Sequence, residues 1–124
     1  MKDPTSPTCR TISTLLSRIG DKWTVLVVRM LGEGSRRFNE LRREIPSVSQ
    51  RMLTLTLRNL ERDGLVSRTV TPTIPPRVDY ELTELGRSLQ GPICGLATWA
   101  MDNVDAIHAA QARFDSEQDK AAAA

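Results

Sequence analysis

The stretch from Phe38 to Leu82, FNELRREIPSVSQRMLTLTLRNLERDGLVSRTVTPTIPPRVDYEL, carries the signals of two helices followed by a β-hairpin. The longer helix, called the reading helix below, is predicted from Ser49 to Arg62. At about 100° per residue, one side that faces a core holds Leu53, Thr56, Leu57 and Leu60. The opposite side holds Arg51, Thr54, Arg58 and Arg62. This division is typical of a helix that reads the DNA major groove, although a solvated surface helix has the same pattern.

A shorter helix is predicted just before it, because apolar residues recur at helical spacing at Phe38, Leu41 and Ile45. Pro46 ends this helix. Ser47 or Ser49 can cap the reading helix, and Ser47 with Gln50 has the spacing of a capping box. The two helices and their short connection therefore predict a helix-turn-helix.

A β-hairpin is predicted after the reading helix, which Gly64 is placed to end in a left-handed conformation. Val66 and Val70 fall on one face of the first strand, and the second strand alternates apolar and acidic residues at Val78, Asp79, Tyr80, Glu81 and Leu82. The tip between them is stiffened by Pro72, Pro75 and Pro76. Arg77 at its base can reach a phosphate or the minor groove. The alternative is a plain hairpin with a rigid tip.

Two further helices are predicted before this unit. The first spans residues 11–19, with apolar positions at Ile12, Leu15, Leu16 and Ile19. After Gly20 and Asp21, a largely apolar segment from Trp23 to Leu31 is predicted as the central helix of the core. Trp23 is interpreted as a structural anchor, because tryptophan mostly contributes buried area.

The C-terminal helix is predicted to begin at Thr83 as its cap and to be kinked at Gly91 and Pro92. Its apolar stripe comprises Leu85, Leu89, Ile93, Leu96, Ala100, Val104 and Ile107. Core packing within one monomer explains part of this stripe, but its length favours a twofold dimer. The predicted interface residues are Ile12, Leu16, Ile93, Leu96, Trp99 and Ala100. Such a dimer predicts an inverted-repeat operator with half-sites about one helical turn apart.

The charge distribution distinguishes this unit from the rest of the chain. Between Arg36 and Arg77, nine arginines and four acidic residues give a net charge of +5, so the remainder carries −3 of the total +2. A local positive potential attracts phosphates and releases counterions, which predicts binding that weakens as salt rises. The predicted DNA contacts are Arg36, Arg37, Ser49, Gln50, Arg51, Thr54, Arg58 and Arg77.

The sequence argues against an enzyme, a cofactor or a metal site. The single histidine, His108, has no cysteine or acid at metal-ligand spacing, and no glycine-rich phosphate loop is present. No segment approaches the roughly 20 apolar residues of a membrane span, so a cytoplasmic protein without a membrane partner is predicted. We expect residues 1–8 to form a flexible arm, 9–110 the DNA-binding domain with its dimer helix, and 111–124 a partly disordered tail.

Three segments, IGDKWTVLVVRML, RRFNELRREIPSVSQRMLTLTLRNLERDGLVSRTV and PPRVDYELTELGRSL, resemble HxlR-type winged helix-turn-helix transcription regulators in their order and spacing. The resemblance covers Cys9 to Trp99. It implies a mainly α fold with a small β-hairpin, namely a winged helix-turn-helix domain with N- and C-terminal dimerisation helices. It also implies a homodimeric bacterial regulator, usually a repressor, whose partner is a double-stranded DNA operator.

The two cysteines are expected to be free thiols in a reducing compartment. Cys9 lies near the start of the first helix, with Arg10 and Arg18 close in sequence, and a helix start and a cation both favour the reactive thiolate. The resemblance implies that a cysteine here senses quinones, aldehydes or oxidants, although such relatives commonly have proline where this chain has Arg10. Modification of Cys9, or an intersubunit disulfide, would then change the dimer geometry and relieve repression. Cys94 is interpreted as a buried, inert thiol.

Two other functions remain open from the sequence. The regulator can respond instead to a noncovalent small molecule bound between the central helix and the dimer helices, which calorimetry with candidate metabolites would test. A winged-helix module can also use its basic face to recruit an acidic protein. Weak binding without preference between operator and random duplexes would favour that second alternative.

Overall fold

The computed structural model describes residues 6–123, which form eight elements in chain order. These are α1 (Pro7–Ile19), α2 (Lys22–Gly32), α3 (Phe38–Glu44), α4 (Gln50–Arg62), β1 (Val66–Thr71), β2 (Arg77–Leu82), α5 (Glu84–Ser88) and α6 (Gln90–Ala123). The described residues divide after Gln90 into two compact units. The first unit has the predicted winged helix-turn-helix architecture, with α4 as the reading helix and the β1–β2 hairpin as the wing.

Helices α1, α2, α4 and α5 begin where short polar side chains accept hydrogen bonds from first-turn amides. Ser49 caps α4, since its Oγ accepts from the Met52 N–H at 3.0 Å. The predicted capping box of Ser47 and Gln50 is therefore wrong, because the chain enters the helix two residues later. Helix α1 begins at Pro7 rather than residue 11, because Ser6 caps it and a proline fits the first helical position.

The core of the first unit surrounds α2, as predicted for the central helix. Val27, Val28 and Leu31 of α2 are almost fully buried. Helices α3 and α4, the turn between them and the hairpin contribute buried side chains at Leu41, Ile45, Val48, Leu53, Leu57, Leu60, Val66 and Leu82. Removing a side chain of this size from water contributes about 1.5 to 3 kcal/mol, so these residues fix the positions of α3 and α4.

The wing is an antiparallel pair in which Val66 faces Leu82 and Thr71 faces Arg77. Its base is buried at Val66 and Leu82, whereas Val70, predicted on the same face as Val66, is exposed because the hairpin extends beyond the core. Gly64 has φ +77°, so the predicted left-handed residue lies between α4 and β1.

Helix α5 closes the corner between α4 and β1. The Thr83 hydroxyl donates to the Gly64 carbonyl at 2.6 Å, and the Thr83 N–H donates to the Leu65 carbonyl at 3.1 Å. Thr83 also caps α5, as predicted, by accepting from the Gly86 N–H at 3.1 Å. A Cβ on Gly86 would lie 2.0 Å from the Leu65 carbonyl oxygen, so this approach requires glycine.

The C-terminal region differs from its prediction at two points. The single helix predicted to follow Thr83 is divided at Leu89 into α5 and α6, so Pro92 falls in the first turn of α6 rather than within one long helix. Proline is tolerated there because amides of the first turn have no intrahelical acceptor. Residues 111–123, expected to belong to a partly disordered tail, continue α6, consistent with their many alanines. In the described part of the chain, no helix is both long and apolar enough to cross a bilayer.

Candidate nucleic-acid interface

Helix α4 has a buried side and an exposed basic side, as the sequence predicts. Leu53, Thr56, Leu57 and Leu60 are buried, which holds the helix against the core and fixes its rotation. Arg51, Thr54, Arg58 and Arg62 are exposed. Arginine offers forked donors that fit guanine edges and phosphates. The exposed side can therefore contact DNA without any change in the packing of the helix.

The first turn of α4 fixes the polar groups predicted to contact DNA at its start. The Ser49 hydroxyl accepts a hydrogen bond as the cap, and Thr54 donates its hydroxyl to the Gln50 carbonyl at 2.8 Å. The Thr54 hydroxyl oxygen keeps lone pairs with which it can accept a further hydrogen bond. Gln50 is exposed at the first position of the helix.

Leu55 is exposed on the same side of α4, although it was not predicted as a contact. It retains 51% of its surface in solvent. It follows Arg51 by one turn and precedes Arg58 by three residues, so helical spacing places it among the arginines. The helical projection contained this signal, since an apolar residue stood on the side otherwise made of arginine and threonine.

Arg36 was predicted to contact DNA, but its side chain forms ion pairs within the protein. Its guanidinium pairs with Glu44 at 2.9 Å and with Glu33 at 3.5 Å, and its side chain is only 18% exposed. Its backbone also forms a two-way bridge with Tyr80, with N···O distances of 2.8 and 3.0 Å. The charge of Arg36 is thus compensated within the protein, and the residue joins the segment before α3 to the wing.

A basic cleft of about 1020 Å³ lies between α3 and the wing tip. Three arginines line it, at Arg37, Arg43 and Arg77, together with the carboxylate of Glu40 and the wing prolines. Glu40 accepts from the Arg37 backbone N–H at 3.0 Å, and Arg77 pairs with Asp79 at 3.0 Å. The cleft retains an excess of positive charge, which suits a phosphate backbone. Arg43 was counted in the local charge of the sequence but not predicted as a contact.

A second cleft, of about 410 Å³, connects the reading helix to the wing. Thr54 and Arg58 of α4 line it together with Arg68 of β1 and Tyr80 of β2. Glu61 also lines it and lowers its net charge. Arg68 was missed as a candidate contact, because strand alternation alone does not tell which face of the hairpin lies beside α4.

One of the two expectations for the environments of Cys9 and Cys94 is wrong. Cys9 lies in the first turn of α1, where its N–H donates to Ser6 Oγ at 3.2 Å, and only 7% of the residue is exposed. Cys94 is exposed, so its prediction as a buried thiol is wrong: the stripe position beside it, Ile93, is the buried one. Arg18, which is close to Cys9 in sequence, pairs with Asp63. Among residues 6–123, no three potential metal-ligating side chains cluster.

The predicted dimer residues differ in exposure. Leu16 of α1 and Leu96 and Trp99 of α6 each expose more than half of their surface, and Ala100 is exposed as well. Ile12 is half-buried and Ile93 is buried. Large apolar side chains are thus available in both units for a further packing partner.

A family model described as HxlR-like helix-turn-helix matches residues 18–108. Among curated proteins, the uncharacterized HTH-type transcriptional regulator YdeP of Bacillus subtilis is 43% identical over 107 residues, which cover 84% of each chain. The uncharacterized HTH-type transcriptional regulator YybR of the same organism is 46% identical over 92 residues, or 74% of each chain.

The solved structures that are similar to this chain include proteins that are also described as regulators. The structure described as "Redoxregulator HypR in its reduced form" superposes with a TM-score of 0.73 at 42% identity, covering 80% of this chain and 98% of that one. The reduced form of the transcriptional regulator YodB from B. subtilis gives a TM-score of 0.66 at 35% identity, covering 77% of this chain and 91% of that one.

Proposed function

The chain belongs to the HxlR-like helix-turn-helix family and is a transcriptional regulator of the winged-helix type; we propose that it acts as a homodimeric repressor on an inverted-repeat DNA operator. The observation that carries the proposal is the exposed side of α4. There Arg51, Thr54 and Arg58 point away from a helix side that is fully packed. Their donors and acceptors match base edges in the major groove.

The basic clefts support a second set of contacts to the DNA backbone. Arg37, Arg43 and Arg77 line the cleft beside the wing tip, and Arg68 continues the positive surface toward α4. Phosphate contacts orient a protein on the duplex, whereas base contacts select the sequence. With α4 in the major groove, the wing would follow the adjacent backbone. Arg36 is left out of this set because its charge is compensated internally.

A twofold dimer is proposed from the exposed apolar residues of α6. Leu96, Val104, Ile107 and Phe114 lie on one side of this helix and remain exposed in the single chain. Leu16 of α1 offers a further exposed apolar side chain. Covering such a stripe with its copy removes apolar surface from water and pairs the reading helices, as an inverted repeat requires.

We propose Cys9 as the thiol through which oxidants relieve repression, and the likeness to a protein described as a redox regulator supports this. Because Cys9 is buried, its reaction needs an opened state of the first turn of α1. Disulfide formation with a partner thiol removes two protons and two electrons, which an oxidant such as diamide accepts. The crosslink would hold the first turn of α1 in this opened state and change the separation of the reading helices.

A noncovalent effector is the second candidate, because a separate cavity favours it. Leu15, Leu65, Leu85 and Leu89 line a partly open cavity of about 250 Å³, with Ser88, Thr24 and the Arg18–Asp63 ion pair at its wall. A few polar groups in an apolar wall are typical of small-molecule sites. Thr24 of the central helix α2 and Leu15 of α1 both line this cavity, and all of its lining residues belong to the first unit.

The test is a titration of a labelled duplex from the region upstream of the protein's own gene, in excess random DNA. Fluorescence anisotropy is followed with reduced and with diamide-treated protein. The proposal expects selective binding by the reduced form that is lost on oxidation. Cys9→Ser should retain DNA binding and abolish the response, while Cys94→Ser, the matched control, should respond as wild type.

Each alternative has its own outcome in this titration. Selective binding that diamide leaves unchanged would reject the thiol switch and favour the ligand cavity. A response that disappears in Cys94→Ser but persists in Cys9→Ser would transfer the sensor to Cys94. A further outcome is that the protein binds upstream and random duplexes with equal affinity and also selects no operator from a random library. These two results together would contradict the proposed sequence-specific binding to DNA.

A further inference from the structure

Leu55 is an exposed leucine in the middle of a basic surface. It retains 51% of its surface in solvent, while other leucines of α4 are buried. Arg51 stands one turn before it, and Arg58 and Arg62 follow it on the same side of the helix. A partner that covers Leu55 must therefore be anionic and must also present an apolar group.

An apolar protein segment does not fit the surroundings of Leu55. The leucine borders an open groove of about 510 Å³ between α1 and α4. The α1 side of that groove is polar, with Ser13, Thr14 and Ser17, and Asp21 lies beside it. An apolar helix seated there would take the Ser13 and Ser17 hydroxyls and the charged Asp21 carboxylate out of water, which is unfavourable.

Duplex DNA meets both requirements. Its phosphates supply the negative charge, and the C5-methyl of thymine is the apolar group on the base edges of the major groove. We propose that Leu55 contacts a thymine methyl group and thereby determines the sequence preference at one base pair of each half-site. The inference rests on the proposed function, since it assumes that α4 lies in the major groove.

The helix geometry limits where this thymine stands. Residues four apart on an α-helix are separated by a rise of about 6 Å, and stacked bases by about 3.4 Å. The thymine should consequently lie within about two base pairs of the base contacted by Arg51. Arg58 lies three residues beyond Leu55, so the leucine contact falls between two arginine contacts.

The experiment uses the full-length reduced protein and a duplex that it selects from a random library. Each thymine is replaced in turn by deoxyuridine, which removes only the methyl group. We expect one position per half-site at which this change weakens wild-type binding about 3- to 5-fold, the effect of one buried methyl-sized group. Leu55→Ala should bind the thymine and deoxyuridine duplexes equally at that position.

Two further variants define the contact. Leu55→Met keeps an apolar side chain of similar size and should restore part of the sensitivity to deoxyuridine. Met52→Ala, on the flank of the same helix, should retain the wild-type sensitivity. Both positions are substantially exposed, so thermal melting should be close to that of the wild type.

The outcomes separate this inference from the proposed function. If the protein selects no duplex, the proposed function fails and Leu55 has no base to read. If a duplex is selected but no thymine is sensitive to deoxyuridine, the proposed Leu55 contact is wrong. The proposed function as a DNA-binding regulator still stands in that case. Sensitivity that persists unchanged in Leu55→Ala also overturns the contact, because another residue then covers the methyl group.

Discussion

Replacing Gly86 with alanine should destabilise the corner at which α4 passes into the wing. The added Cβ would lie 2.0 Å from the Leu65 carbonyl oxygen and 3.1 Å from the Leu82 Cδ2 atom. Either α5 or the backbone at Leu65 would have to shift, since the nearest atom is a backbone carbonyl oxygen. Overpacking of this kind costs about 1 to 3 kcal/mol.

Two further effects determine the net change at Gly86. Moving α5 outward would weaken the hydrogen bonds of Thr83 to the Gly64 and Leu65 carbonyls, each worth about 1 kcal/mol. The higher helix propensity of alanine offsets at most about 1 kcal/mol. The expected net loss is about 2 kcal/mol in the free energy of unfolding.

Urea unfolding at a fixed protein concentration measures this loss, because the apparent stability of the proposed dimer would depend on concentration. With an m-value of about 2 kcal/mol/M, the midpoint should fall by about 1 M. Gly95→Ala is the matched control: this glycine is also helical, and no atom lies within 4 Å of its added Cβ. The control should gain about 0.5 to 1 kcal/mol. An unchanged or raised midpoint for Gly86→Ala would refute the argument from close approach.

Three further perturbations test the interface and its support. Ser49→Ala should lower the free energy of unfolding by about 1 kcal/mol, measured by urea unfolding, while Ser47→Ala should leave it unchanged. Equal losses in the two variants would support the predicted capping box instead. Arg36→Ala should lower stability by about 1 kcal/mol and leave the discrimination between operator and random DNA intact, whereas Arg51→Ala should lose about 1 to 3 kcal/mol of that discrimination in anisotropy titrations. Leu96→Glu should shift the protein toward monomer in sedimentation equilibrium, and an unchanged dimer would exclude Leu96 from the interface.

The exposed basic side of α4 could be predicted from the sequence because helical periodicity is a local property. Positions three and four apart share a side of the helix whatever the rest of the chain does, so the buried leucines and exposed arginines were both assigned correctly. Pro46 and Gly64 likewise mark their boundaries through their own backbone preferences. The helix-turn-helix and its wing follow from these signals.

Residues whose surroundings come from distant parts of the chain could not be assigned in this way. Arg36 and Arg51 have the same side chain and lie in the same basic segment, yet Arg36 is paired with Glu44 and bridged to Tyr80. Cys94 was predicted as buried because it stands beside an apolar stripe, but one residue along a helix turns a side chain by about 100°.

The sequence alone thus determined the element types, the order of the helix-turn-helix and wing, and the side of α4 available to DNA. Only the tertiary structure decided that Arg36 is compensated, that Cys9 is buried, and that Gly86 must approach Leu65. The physical reason is the range of the interactions. Periodicity and capping act within about four residues, whereas burial and ion pairing depend on which segments the fold brings together.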